Sequence, residues 1–140
     1  MKLQQILNSL QKLHPKEIDL SLDRIKKLCK KLGNPQDNLK YISVVGTNGK
    51  YSTIQAIRAI LKDANINCNV YTSPHIQKLN ERYEYNNCEI SDEELSKLLL
   101  KVKEVNNNDK ITYFEILTAA FFYEASKYKN NINIIEAGLF

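Results

Sequence analysis

Tryptophan is absent from the 140 residues, and methionine occurs once, proline and cysteine 3 times each and glycine 4 times. So little Gly and Pro excludes collagen-like and low-complexity linker architectures. Cys29, Cys68 and Cys88 are odd in number, widely spaced and without a C-x-x-C or a paired His, which argues against a disulfide framework and against a zinc site. A reducing cytosol is the expected setting. Charged residues break every apolar stretch well short of the roughly 20 residues a membrane span needs. The N-terminus MKLQQILNSLQKLHP is amphipathic where a signal peptide is continuously apolar, so neither membrane nor export is expected.

What is present is ordinary for a globular protein: 43% hydrophobic and 26% charged residues. That is enough for one domain burying roughly two-thirds of its unfolded surface and too little for two full domains. A formal charge of +4 arises from 17 Lys and 3 Arg against 16 acids. The Lys residues are scattered over helix-like faces without a concentrated basic stripe, and no nucleic-acid partner is expected.

Leu3, Ile6, Leu7, Leu10 and Leu13 recur at helical spacing until Pro15, and Leu22, Ile25, Leu28 and Leu32 do so until Gly33-Asn34-Pro35. Tyr41 to Val45 is a β-branched run that ends in Gly46 and leads through a polar loop to Ile54, Ile57 and Leu61 on one helical face. With Cys68 to Thr72 as the next strand, this is a βαβ unit with a parallel sheet and a right-handed crossover. Arg82–Tyr85 and Cys88–Ile90 flank Asn86-Asn87 as a small hairpin. Ser91 with Glu94 and Thr112 with Glu115 read as capping boxes that open two further helices. The apolar run Ile132 to Ala137 reads as a buried parallel strand. The expected fold is α/β: a P-loop-type, three-layer domain over 1–140 with a mostly parallel sheet.

The strongest local signal is Gly46-Thr47-Asn48-Gly49-Lys50-Tyr51-Ser52-Thr53, set between strand and helix. Backbone N–H groups and a helix N-terminus there make an anion nest, with Lys50 in reach of a β- or γ-phosphate. The generic P-loop G-x-x-x-x-G-K-[ST] is not met, because Val44 stands at its first Gly and Tyr51 follows the Lys. A plain βα turn with a surface Lys is the bland alternative.

The loop has company: T-S-P-H at Thr72 to His75, N-E-R at Asn80 to Arg82, I-S-D-E-E-L at Ile90 to Leu95, T-Y-F-E at Thr112 to Glu115 and E-A-G-L at Glu136 to Leu139. In order and spacing, this set with G-T-N-G-K resembles folylpolyglutamate synthase and bifunctional dihydrofolate synthase. His14 to Arg24 looks like that family's pterin-side segment. Muramyl peptide ligases share G-T-N-G-K but lack T-S-P-H followed by N-E-R, and are the alternative within the same class. A non-catalytic nucleotide-binding relic is the alternative outside it.

The resemblance implies a cytoplasmic ATP-dependent amide ligase of folate biosynthesis. A pteroate or folate carboxylate attacks the γ-phosphate, and the amine of glutamate then displaces phosphate from the acyl phosphate. ATP and Mg2+ are the implied nucleotide and metal, and ATP, pteroate or folate, and glutamate the implied small-molecule partners. Gly46, Thr47, Asn48, Gly49, Lys50, Ser52 and Thr53 are implied at ATP, with Lys50 stabilising the transferring phosphoryl group. Ser73 and Glu136 match the metal ligands. A hydroxyl and a carboxylate at the carboxyl ends of parallel strands are hard oxygen donors of the right kind. Glu17, Ile18, Asp19, Leu20, Thr112, Tyr113, Phe114 and Glu115 are implied on the pterin side. Thr112 and Glu115 are equally explained as a helix cap.

His75 has no visible partner in the sequence, and Arg82 suits a phosphate or carboxylate by residue type. Tyr51 departs from the family's Gly, and its phenol either points outward or crowds the γ-phosphate. The family also continues beyond the position of Phe140, so the resemblance is to its N-terminal third, and this chain by itself is expected not to turn over.

Overall fold

Residues 2–16, 19–75 and 77–137 are described by a computed structural model. In chain order its elements are α1 (Leu3–Gln11), α2 (Asp23–Lys31), β1 (Lys40–Val45), α3 (Lys50–Asp63), β2 (Cys68–Tyr71), β3 (Tyr83–Tyr85), β4 (Cys88–Glu89), α4 (Asp92–Asn106), α5 (Tyr113–Ala125) and β5 (Ile132–Ala137). The elements fall into two units, Met1–Asp37 with Ser91–Lys127, and Asn38–Ile90 with Tyr128–Phe140.

Periodic leucines build the first unit. Ile6, Leu7 and Leu10 of α1, Leu28 of α2, Leu95, Leu99 and Val102 of α4, and Ile116, Leu117 and Phe121 of α5 are all buried, and these helices pack on one another. Spacing of three and four residues puts each set on one face, so packing rather than propensity holds the helices. Ser91 Oγ accepts the Glu94 N–H at 3.2 Å. At α5 both halves of the box form: Thr112 Oγ1 accepts the Glu115 N–H at 3.2 Å, and Thr112 N–H donates to Glu115 Oε1 at 3.1 Å.

Asp109, just beyond α4, receives Lys31 Nζ at 2.6 Å and Lys27 Nζ at 3.1 Å. Hydrogen bonds from Lys31 and then Lys27 hold its carboxyl below 3.8. Asp19 is lowered too: burial pushes it up, but Arg24 and His14 outweigh that. A carboxyl that takes a proton less readily in the fold than in the unfolded chain adds stability that is present above the unfolded value and lost as pH falls through the folded one. Helicity followed by circular dichroism is therefore expected to fall as pH drops through and below the ordinary aspartate range, about pH 4. Asp109→Asn should flatten the part of that loss due to this pair, and an unchanged acid transition counts against it.

The second unit is a five-stranded sheet of order β1-β5-β2-β3-β4. β5 is parallel to both β1 and β2, and β3 and β4 continue antiparallel. The α/β expectation with a mostly parallel sheet holds, and the β1-α3-β2 crossover brackets β5, the most apolar run. Val44, Cys68, Val70 and Ile134 meet Ile54 of α3, with Ile57 and Leu61 packed against them. Arg58 of α3 is ion-paired with Glu84 of β3 at 2.5 Å.

The Asn-rich bias has a backbone cause. Asn34, Asn65, Asn107 and Asn108 follow helices with positive φ, and Asn86 and Asn87 turn the hairpin at φ 57 and 67. Asn tolerates that region better than any residue but Gly. Strand ends differ slightly from the sequence reading. Arg82 closes a 3-10 turn, Leu79–Arg82, ahead of β3, and Thr72 and Ile90 lie outside strands.

Candidate functional site

Helices α4 and α5 begin in a way that suits stability, with a side-chain cap and an acid in the first turn, and α3 does not. α4 starts with Asp92, Glu93 and Glu94 behind a Ser91 cap. α3 starts at Gly49 with no side-chain cap, no acid in its first turn, and Lys50 as its first residue. A cation at the positive end of the helix dipole is unfavourable in isolation, and uncapped N–H groups are unsatisfied donors. Both features become favourable when an anion binds there.

The loop geometry needs its glycines. Gly49 has φ +75, a region in which a Cβ is strained, and no atom lies within 4 Å of where a Cβ would sit. The requirement is therefore conformational rather than steric. Thr47, Asn48 and Ser52 are exposed and Gly46 half-buried. Thr53 Oγ1 donates to the Gly49 carbonyl at 2.9 Å, so that hydroxyl braces the turn. Tyr51 is 75% exposed, the outward placement of the two the sequence allowed.

Lys50 Nζ lies 3.4 Å from Glu136 Oε1, and the Glu136 side chain is only 12% exposed. The loop Lys and the acid on β5 thus meet at the carboxyl edge of the sheet, where α/β folds bind ligands. The register pairs Tyr71 with Ile135, so Ser73 and Glu136 leave the ends of adjacent parallel strands. A hydroxyl and a carboxylate leave coordination positions for phosphate oxygens and water, which suits Mg2+. Among the described residues no cluster of three or more His, Cys, Asp or Glu forms a metal site. Cys29 and Cys68 are buried, with their thiols pushed up chiefly by burial, and Cys88 is exposed and free.

Arg82 turns out to be the partner His75 lacked. Its Nε–H donates to His75 Nδ1 at 2.9 Å. Burial lowers the His75 pKa and the Arg82 charge lowers it further, with Glu81 opposing.

The residues expected on the pterin side gather in the helical unit. Glu17 and Ile18 lie outside the described residues. Asp19 and Glu115 are joined by Arg24, 91 positions before Glu115. Thr112 and Glu115 form the expected cap, Tyr113 is half-buried, and Leu20 and Phe114 are exposed. Sequence reasoning missed the Lys50–Glu136, Arg82–His75 and Arg24 pairings. No local pattern marks a side-chain contact between distant segments.

The chain is 41% identical over 125 residues to the dihydrofolate synthase/folylpolyglutamate synthase of Bacillus subtilis (strain 168), covering 84% of this chain and 29% of that protein. By sequence and by fold, it is a relative of these synthases. The crystal structure of bifunctional folylpolyglutamate synthase/dihydrofolate synthase from Yersinia pestis CO92, complexed with AMPPNP and Mn ion, matches with TM-score 0.88 and 31% identity over 99% of this chain and 34% of that one. E. coli FolC in complex with DHPP and ADP matches with TM-score 0.87 and 29% identity, over 99% of this chain and 34% of that one. No family model matches the chain. It spans 29 to 30% of the length of the synthases from Bacillus subtilis and Haemophilus influenzae. Among the described residues no helix is long and apolar enough to cross a membrane.

Proposed function

We propose that this chain carries the nucleotide loop and the pterin-facing residues of a cytoplasmic ATP-dependent amide ligase of folate biosynthesis. The enzyme would join L-glutamate to dihydropteroate, to folate or to both. The observation that carries this reading is the uncapped, Lys-bearing start of α3 behind Gly49, facing the half-buried Glu136, on a chain related to the synthases.

In this reading the α3 N-terminus and the turn from Gly46 through Gly49, with Ser52 and Thr53, seat the ATP phosphates. Lys50 is the catalytic group, its ammonium meeting the charge that builds on the transferring γ-phosphoryl. The substrate carboxylate attacks that phosphorus and ADP leaves. The glutamate amine then adds to the acyl phosphate, and phosphate departs with the amide formed. Ser73 and Glu136 would hold Mg2+, which supplies neutralisation of phosphate charge. Asp19, Leu20, Thr112, Tyr113, Phe114 and Glu115, with Glu17 and Ile18, would face the pterin: carboxylates for its N–H donors, aromatics for its flat face. The whole domain, 1–140, is read as the ATP-binding part.

Mg-ATP and dihydropteroate binding are the expected activities of the 140-residue chain, without turnover. Titration calorimetry with each ligand tests the reading. Binding of both supports it, binding of neither sinks it, and ATP hydrolysis with no dihydropteroate binding points to a different class of P-loop protein.

A further inference from the structure

The two pterin-facing segments are distant in sequence, and one guanidinium joins them. Arg24 Nε–H donates to Glu115 Oε1 at 2.9 Å, Nη1–H to Asp19 Oδ2 at 3.2 Å and Nη2–H to the Asp19 carbonyl at 2.6 Å. Asp19 is held from its other side as well. His14 Nδ1 accepts the Lys16 N–H at 2.9 Å, which leaves a proton on Nε2 to donate to Asp19 Oδ2 at 3.1 Å. The tautomer is set by that backbone bond.

Glu115 is supplied unevenly. Its Oε1 takes both Arg24 and the Thr112 N–H. Its Oε2 is buried and has no hydrogen-bond partner among the described residues, on a side chain that is itself about nine-tenths buried. A buried carboxylate oxygen without a donor is rare and needs one from elsewhere. Beside these carboxylates in sequence stand apolar side chains left open to solvent, Leu20 at 87%, Leu22 at 65% and Phe114 at 40% exposure.

We propose that Arg24 is a positioning residue for heterocycle recognition. Its planar fork fixes Asp19 and Glu115 together and keeps Glu115 turned so that Oε2 is the acceptor left for an N–H of a flat ligand covering the exposed apolar side chains. Arg24 touches no ligand and acts through Glu115. Lys cannot replace it, because one ammonium lacks the fork that reaches both partners. This inference rests on the pterin-facing reading above.

The test is a titration of 7,8-dihydropteroate into the full chain, followed by pterin fluorescence, with Mg-ATP titrated in parallel to show that each variant is folded. Arg24→Met is expected to weaken dihydropteroate roughly tenfold or more and to leave Mg-ATP binding unchanged, with Arg24→Lys recovering only part of the loss. Glu115→Gln should weaken it similarly. The double variant should be no worse than the weaker single, since both changes remove one action. Unchanged dihydropteroate affinity in Arg24→Met, full recovery in Arg24→Lys, or additive losses in the double variant would overturn the inference while leaving the pterin reading in place. Wild-type chain that binds Mg-ATP but not dihydropteroate overturns the pterin reading itself, and this inference with it. If Arg24→Met fails to bind Mg-ATP, the comparison of Arg24→Lys with wild type decides.

Discussion

Lys50→Met is expected to weaken Mg-ATP binding about 10- to 150-fold, the equivalent of losing about 1.5–3 kcal/mol of charge-assisted hydrogen bonding. The size of the effect follows from where the ammonium sits. It opens a 14-residue helix that has neither cap nor first-turn acid, so the dipole, the free N–H groups and the charge all act on the same anion. Stability is expected to move little or to rise slightly, because a cation is removed from the positive end of a helix, against which stands the loss of its pairing with Glu136 at 3.4 Å. A structural Lys predicts the reverse: stability lost and nucleotide affinity kept. Calorimetric titration of Mg-ATP beside urea unfolding of the same variant separates the two. Unchanged affinity would remove Lys50 from the phosphate site.

Asn69→Leu is expected to lower the stability of the fold by about 3 kcal/mol, a large share of the roughly 5–15 kcal/mol typical of a domain. Leu matches the branching and heavy-atom count of Asn but is bulkier and has no polar atoms, so lost hydrogen bonding is the main cost and crowding adds to it. Asn69 Nδ2 donates to Asn133 Oδ1 at 3.0 Å, and Asn69 Oδ1 accepts from Asn131 Nδ2 at 3.1 Å and from the Asn86 N–H at 2.9 Å. Asn69 and Asn133 are wholly buried. Removing the central amide strands Asn133 Oδ1 away from water, and an unsatisfied buried acceptor carries its full desolvation cost. As a control, Asn108→Gly is expected to stay within about 0.5 kcal/mol, since Gly adopts its positive φ freely and the side chain is exposed. Urea unfolding of both variants is the measurement. A loss at Asn69 no larger than at Asn108 would show that water or a strand shift satisfies the network.

Those asparagines show where sequence reading stops. Read locally, Asn-rich stretches mark turns, and at Asn34, Asn65, Asn86, Asn87, Asn107 and Asn108 the positive φ agrees. The same residue type at Asn69 and Asn133 stands inside strands, where local preference argues against it. Only the pairing of β2 with β5, which sets Asn69 beside Asn133, makes the two amides partners.

The candidate site divides in the same way. The anion loop was legible because everything it requires is contiguous: a β-branched run, glycines for an unusual backbone, then a helix start with a Lys and no cap. The positions of strands and helices, the helix faces and the caps at Ser91 and Thr112 were legible for a similar reason, since periods of two and of three to four residues are properties of neighbours in the chain. The motif set was equally readable, being an ordered string. What tertiary structure alone decided is which distant charges meet. Lys50 finds Glu136 because β1 and β5 are adjacent and parallel, Arg82 finds His75 across a loop, and Arg24 finds Glu115 because α2 packs on α5. Side-chain pairing across long separations depends on packing and register, which no window of sequence contains, whereas backbone conformation and amphipathic period are set within a few residues.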